Sequence, residues 1–184
     1  MADSPPTQQR WYDKDPVLYK VVQQMHDMPH EVLSILAHGI IRYAEHDSYL
    51  RDCLEKCRKN LSKEKVLGLH KAQQRKRWHD SHTMTRELFK NLYILNPKEQ
   101  RFIADKSTDL ILMIQLYLSQ CKLYNQKVSL TNITMMTEMY LMEGKPEEVK
   151  KFLIAFQAQF GPQAEKDQLG TIEESMYVKR VAKG

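Results

Sequence analysis

The segment from Asn96 to Tyr124 places the tightest constraint on the fold. Asn96, Pro97 and Glu99 supply a cap, a first-turn proline and a capping-box acid, together a helix start signal. The residues that follow carry a helical period, with Ile103, Leu110, Ile114, Tyr117, Cys121 and Tyr124 on one stripe. Between Leu110 and Leu118 eight of nine residues are apolar, and only Gln115 interrupts them. A helix that is apolar around so much of its circumference belongs among other helices. The expectation is a central helix surrounded by its neighbours.

The rest of the chain repeats the same period. Asp15 is placed to cap a helix with Pro16 at its first position, where a missing N–H costs nothing. Val17, Leu18, Val21, Val22 and Met25 form its stripe. Met28-Pro29 breaks the chain and opens a second helix lined by Leu33, Leu36, Ile40 and Ala44. Gly39 in its middle suits a close helix crossing. This helix runs on, or restarts, through Tyr49, Leu50, Cys53, Leu54 and Cys57. A third helical region starts near Ser62, with Val66, Leu67 and Leu69 at one end and Met84, Leu88, Phe89, Leu92 and Leu95 at the other. Its middle, His70 to Thr83, holds only Ala72 and Trp78 as apolar residues, so it faces solvent or a polar partner. Whether 70–83 is helix or loop is left open by the sequence.

The C-terminal part reads as a helical hairpin. Ser129 or Thr131 caps the first arm, which turns Ile133, Met136, Met139 and Tyr140 inward. Gly144 stops it and Pro146 opens the second arm, lined by Val149, Phe152, Leu153, Phe156 and Phe160 and ended by Gly161-Pro162. No useful length alternates with period two, so no sheet is expected. The predicted fold is all-α: a single helical domain of about five to seven helices over 13–161, with that C-terminal hairpin. A flexible N-terminus is expected over 1–12 and a mobile tail over 162–184.

Charge is unevenly spread. Arg51 to His79 contains ten Lys or Arg and three acids, whereas the other residues hold 18 basic and 20 acidic side chains. The whole excess of +5 therefore comes from one stretch, which points to an acidic partner. The start of the chain, Met1 to Arg10, is polar and Pro-rich, and no apolar run approaches the roughly 20 residues of a membrane span. A cytoplasmic protein that does not meet a membrane is the expectation. Three cysteines rule out a fully paired disulfide framework. Cys53 and Cys57, at i and i+4, would make half of a soft-metal site, but no local motif supplies the other ligands. The plainer reading is two small half-buried side chains.

Within the basic stretch, Lys71, Arg75, Trp78 and His82 follow at steps of four, three and four. On a helix they would share one face, with Lys76 and Arg77 spreading the charge around it. Two cations, an indole and an imidazole suit nucleic acid, because cations neutralise phosphates and rings stack on bases. An acidic protein surface fits as well. The bland alternative is a solvated helix face with Trp78 turned inward as a core anchor. The hairpin is a poor DNA reader, since Glu147 and Glu148 open its second arm and would repel phosphate. Met135, Met136, Met139 and Met142 on its first arm read as packing residues.

Enzyme signatures are weak. The sequence has no Gly-rich phosphate loop, nucleophile elbow or His-Glu-x-x-His. It has three His-Asp dipeptides, His26-Asp27, His46-Asp47 and His79-Asp80. Metal phosphohydrolases of the HD superfamily use such a dipeptide with an earlier His and a later Asp, and His38, His79, Asp80 and Asp109 can be threaded onto that order. In that family an apolar helix precedes the dipeptide, whereas here Gln74-Arg75-Lys76-Arg77 does, so the chain is not assigned to it. His30, His38 and His46, eight residues apart, read as helix-surface residues. The sequence thus predicts a non-enzymatic adaptor or regulatory protein, with no catalytic residue, metal ligand or cofactor. Its contact surface would be 51–82, centred on Lys71, Arg75, Lys76, Arg77, Trp78 and His82. The partner would be an acidic protein surface or, alternatively, a nucleic acid, and a homo-oligomer remains open.

Overall fold

The computed structural model describes residues 10–73, 78–80 and 82–162, with backbone alone for 70–73. The expectations for the two tails fall largely on 1–9 and 163–184, outside the described residues. Eight helices and no strand are present among the described residues. They are α1 (Pro16–His26), α2 (His30–His46), α3 (Ser48–Lys59), α4 (Lys63–Gln73), α5 (Thr83–Ile94), α6 (Pro97–Leu123), α7 (Leu130–Thr137, continuing as a π turn over Glu138–Met142) and α8 (146–162). The count exceeds the expected five to seven because Asp47 separates α2 from α3 and because the third helical region divides into α4 and α5.

Local chemistry explains most of the boundaries. The Asp15 carboxylate accepts from the N–H groups of Val17 and Leu18 at 2.9 and 3.0 Å, and Pro16 follows as the first helical residue. Asp47 accepts from Leu50 N at 3.0 Å and restarts the chain as α3. Ser129 caps α7 through Asn132 N at 3.3 Å. Gly144, at φ +65°, turns the chain between α7 and α8 in a conformation that other residues rarely adopt. Two boundaries differ from the sequence reading. The helix over 146–162 continues through Gly161 and Pro162. Asn96 makes no side-chain capping bond, and the expected capping-box acid, Glu99, accepts instead from the Tyr49 hydroxyl at 2.8 Å.

The expected stripes meet in one core. Leu18, Val21, Val22 and Met25 of α1, Leu33, Leu36 and Ile40 of α2, and Leu88, Phe89 and Leu92 of α5 are all buried. So are Leu110, Ile111, Ile114 and Tyr117 of α6 and Val149, Leu153 and Phe156 of α8. Trp11 and Tyr12 form a 3-10 turn before α1 and pack on Phe89, with Tyr12 buried. The packed region therefore starts slightly before residue 13. Gly39 lies where α2 crosses α7, and a Cβ there would overlap Thr137 Cγ2. The close crossing read from the sequence is thus present. α1 flanks α6 on one side, where Asp15 meets Arg101 at 3.1 Å and Gln24 donates to Gln115 at 3.5 Å. α8 flanks it on the other, with Tyr117 against Phe152 and Phe156.

α6 is not wholly surrounded, contrary to the expectation. Leu112, Leu116 and Leu123 are 44%, 49% and 60% exposed. Its other faces bury enough apolar surface to hold the helix in place, and no described element covers this ridge.

Candidate interaction surface

The basic stretch begins on α3 and continues onto α4. The last turn of α3 carries Lys56, Arg58 and Lys59, which complement the negative end of the helix dipole. Some of the charge holds the fold together. Arg58 donates to the Asn91 side chain at 3.1 Å, and Lys65 donates to the Ile94 carbonyl at 2.6 Å, tying α3 and α4 to α5. Arg51, Lys56 and Lys63 are exposed and make no ion pair among the described residues; exposed Lys59 lies 3.9 Å from Glu55.

α4 is attached differently from its neighbours. Ser62 caps it through Lys65 N at 3.2 Å. None of its described side chains, 63–69, is buried. Leu69 packs against the core, and Gly68 sits so close to Tyr93 that a Cβ would overlap the phenol oxygen. The sequence groups Val66, Leu67 and Leu69 as one apolar end of this helical region. Of these, Val66 and Leu67 are 36% and 59% exposed, because the contact with α5 takes up the Leu69 and Gly68 side of the helix. Lys63 and Leu67, four residues apart, share the outer face.

The residues chosen from the sequence are not presented as one helical face. Lys71 lies in the last turn of α4, with its side chain outside the description, and Arg75, Lys76 and Arg77 lie outside the described residues. Trp78 belongs to a separate 3-10 turn, Trp78–Asp80, and His82 is extended at φ −127°, ψ 138°. The indole is half-buried and engaged. It meets His26 and Phe89 edge-to-face at 5.1 and 5.5 Å. His79 beside it is buried and stacks flat on Phe89 at 4.2 Å, and the His82 ring lies 4.3 Å from His30. Arg86 fixes the turn from below by donating to the Asp80 carbonyl at 2.6 Å. Trp78 thus packs against the core, and His82 is not helical, while the Lys71 side chain and Arg75, Lys76 and Arg77 lie outside the description.

His30 and His82 aside, the described histidines and cysteines lie apart or in local contacts. His26 pairs with its neighbour Asp27 at 3.1 Å and His79 with Asp80 at 3.5 Å, so these two His-Asp dipeptides make local contacts. His30, His38 and His46 are exposed, and so is Asp109 on α6. Among the described residues, no three His, Cys, Asp or Glu side chains gather to hold a metal ion. Cys53 and Cys57 are half-buried and Cys121 is buried. Cys53 Sγ stands 3.9 Å from Glu99 Oε1, the same oxygen that Tyr49 contacts. That hydrogen bond, followed by loss of solvent and the Glu99 charge, pushes the Tyr49 phenol up to about 12. Tyr49, Lys98, Arg101, Phe102 and Asp105 line an open cleft of about 350 Å³. Its cations are already engaged: Arg101 pairs with Asp15 and Asp105, and Lys98 lies 5.9 Å over the Tyr49 ring. The cleft has little charge left to recruit an anion.

No helix among the described residues is long and apolar enough to cross a membrane. In comparisons with protein-family models, curated proteins and solved structures, nothing matches the chain at a significant level.

Proposed function

We propose that this chain is a non-enzymatic interaction protein that binds an acidic protein segment through α3 and α4. The observation that carries the reading is Leu67. It stands 59% exposed on the same helical face as Lys63, in a helix whose described side chains include none that is buried. A leucine held in water beside a cation matches a partner that offers apolar and acidic side chains together, such as an amphipathic acidic helix. Exposed Lys56, Lys59 and Lys63 would steer that partner and set its register, while Val66 and Leu67 supply the dry contact. Lys71, Arg75, Lys76 and Arg77 follow in the sequence and add to the same charge.

The engagement of Trp78 favours protein over nucleic acid. A stacking platform needs an open ring face, and this indole is half-buried between His26 and Phe89. The test is fluorescence anisotropy with a labelled helical peptide bearing Glu and Leu on one face. Wild-type protein is expected to bind it. Leu67→Ala should weaken binding about tenfold, as loss of an apolar anchor does. Lys59→Glu with Lys63→Glu should abolish it. Both sites are exposed, so the helical circular dichroism should not change. Equal affinity in all three proteins would overturn the proposal.

A further inference from the structure

Two histidine segments face each other at one corner of the fold. His26-Asp27 and His30 span the end of α1 and the start of α2, and His79-Asp80 and His82 precede α5. Together they hold four of the seven histidines. Trp78 meets His26 at 5.1 Å, and the His30 and His82 rings lie 4.3 Å apart, tilted by 44°. Both carriers are held in place. Buried Met28 anchors the corner before Pro29, and His30 follows as the first residue of α2. His79 stacked on Phe89, and Arg86 on the Asp80 carbonyl, fix the turn that delivers His82. His30 is exposed and His82 half-buried, so solvent reaches both residues. Neither ring makes a hydrogen bond or ion pair among the described residues.

We propose that His30 and His82 together bind one divalent transition-metal ion of the Ni²⁺ or Cu²⁺ type. Imidazole suits such ions, and the ring separation selects among them. With metal–nitrogen bonds of about 2.0 Å, two imidazoles on one ion have centroids about 4.5 Å apart at a right angle and about 5 Å apart at the tetrahedral angle. The observed 4.3 Å matches the right angle of a tetragonal or octahedral ion and falls short of the tetrahedral spacing. No group of three His, Cys, Asp or Glu forms among the described residues, so water takes the remaining positions. The positive ends of α2 and α5 oppose a cation, and Glu31 in the first turn of α2 sets a negative charge beside His30 against them. The bound ion would staple α2 to α5 at their N-termini. Tyr93 and Ile94, where α4 attaches, lie at the opposite end of α5, so the site does not depend on the acidic partner proposed above.

Calorimetric titration of the full chain with Ni²⁺ tests the proposal, since Ni²⁺, unlike Cu²⁺, leaves the three thiols reduced. At about 100 μM chain, where a micromolar complex is nearly saturated, one ion per chain is expected. His30→Gln and His82→Asn should each lower the affinity about tenfold or more, because one imidazole cannot chelate. Asn at position 82 keeps a residue suited to the N-cap of α5, so the helical circular dichroism should not change. His38→Gln and His46→Gln, at exposed histidines elsewhere on α2, should leave the affinity as it is. Ni²⁺ should also raise the melting temperature of the wild type and not that of His82→Asn. A wild-type chain that binds no Ni²⁺ would overturn the proposal, as would an affinity unchanged in His30→Gln or in His82→Asn. Zn²⁺ bound as tightly as Ni²⁺ would overturn the right-angle geometry.

Discussion

Gly39 shows what a single residue can decide in this fold. Its missing side chain lets α2 lie against Thr137 of α7. Gly39→Ala should gain up to about 1 kcal/mol of helix propensity yet lose about 1–3 kcal/mol to overpacking, for a net destabilisation by urea unfolding. Thr137→Ser removes the methyl group that would be struck and should recover much of that loss when combined with Gly39→Ala. An additive double variant would show that the crossing is looser than described. Asp15 and Gly39 were legible because their roles are local, one as a cap and one as an absent side chain. Glu99 was not. Its position three residues after Asn96 fits a capping box, but the bond it makes reaches Tyr49, 50 residues away. That pairing has its own signature, because the Glu99 bond raises the Tyr49 phenol from 10.0 to about 12. Folding favours the neutral phenol, so its contribution is fully present below pH 10 and is lost as pH rises toward 12. Stability of the wild type should fall more steeply than that of Tyr49→Phe across this window. In Glu99→Gln, the Tyr49 titration followed by NMR of labelled tyrosine should move back toward 10.

At the scale of elements, what the sequence reveals is which residues have a helical period, not how many neighbours each helix has. The period correctly marks Leu88, Phe89 and Leu92 as core, but treats Val66 and Leu67 in the same way. The placement of Gly68 against Tyr93, with Lys65 on the Ile94 carbonyl, shows which side of α4 touches α5. The same limit applies to α6, whose exposed and buried leucines look alike in the sequence. With no buried side chain among those described in α4, its amides should exchange by local opening, well before those in the middle of α6. Hydrogen exchange with mass spectrometry reads this directly. Gly68→Ala should speed exchange in α4 further while moving the global melting temperature little. A large drop in melting temperature would mean that α4 is integral to the core, a poor basis for an accessible contact surface.

For the whole molecule, the sequence predicts an all-α chain with a C-terminal hairpin, and these features follow from period, caps and breakers alone. The presentation of the basic stretch did not follow from them. Equal helical steps suggested one face from Lys71 to His82, but the 3-10 turn at Trp78 and the extended His82 break that spacing. Tertiary contacts decide it, since Phe89 is buried in the core and draws both Trp78 and His79 onto it. What remains outward on α3 and α4 among the described residues includes several cations, of which Lys63 shares a helical face with exposed Leu67. The most direct test is therefore a competition: the labelled acidic peptide bound to wild-type protein, challenged with a single-stranded oligonucleotide at about 50 and 200 mM salt, the range over which a protein with 6–10 phosphate contacts loses ~10³-fold or more in affinity. The account predicts that the peptide stays bound, that its affinity falls only modestly with salt, and that Leu67→Ala weakens it about tenfold. Displacement by the oligonucleotide with a steep salt slope, unaffected by Leu67→Ala, would contradict it.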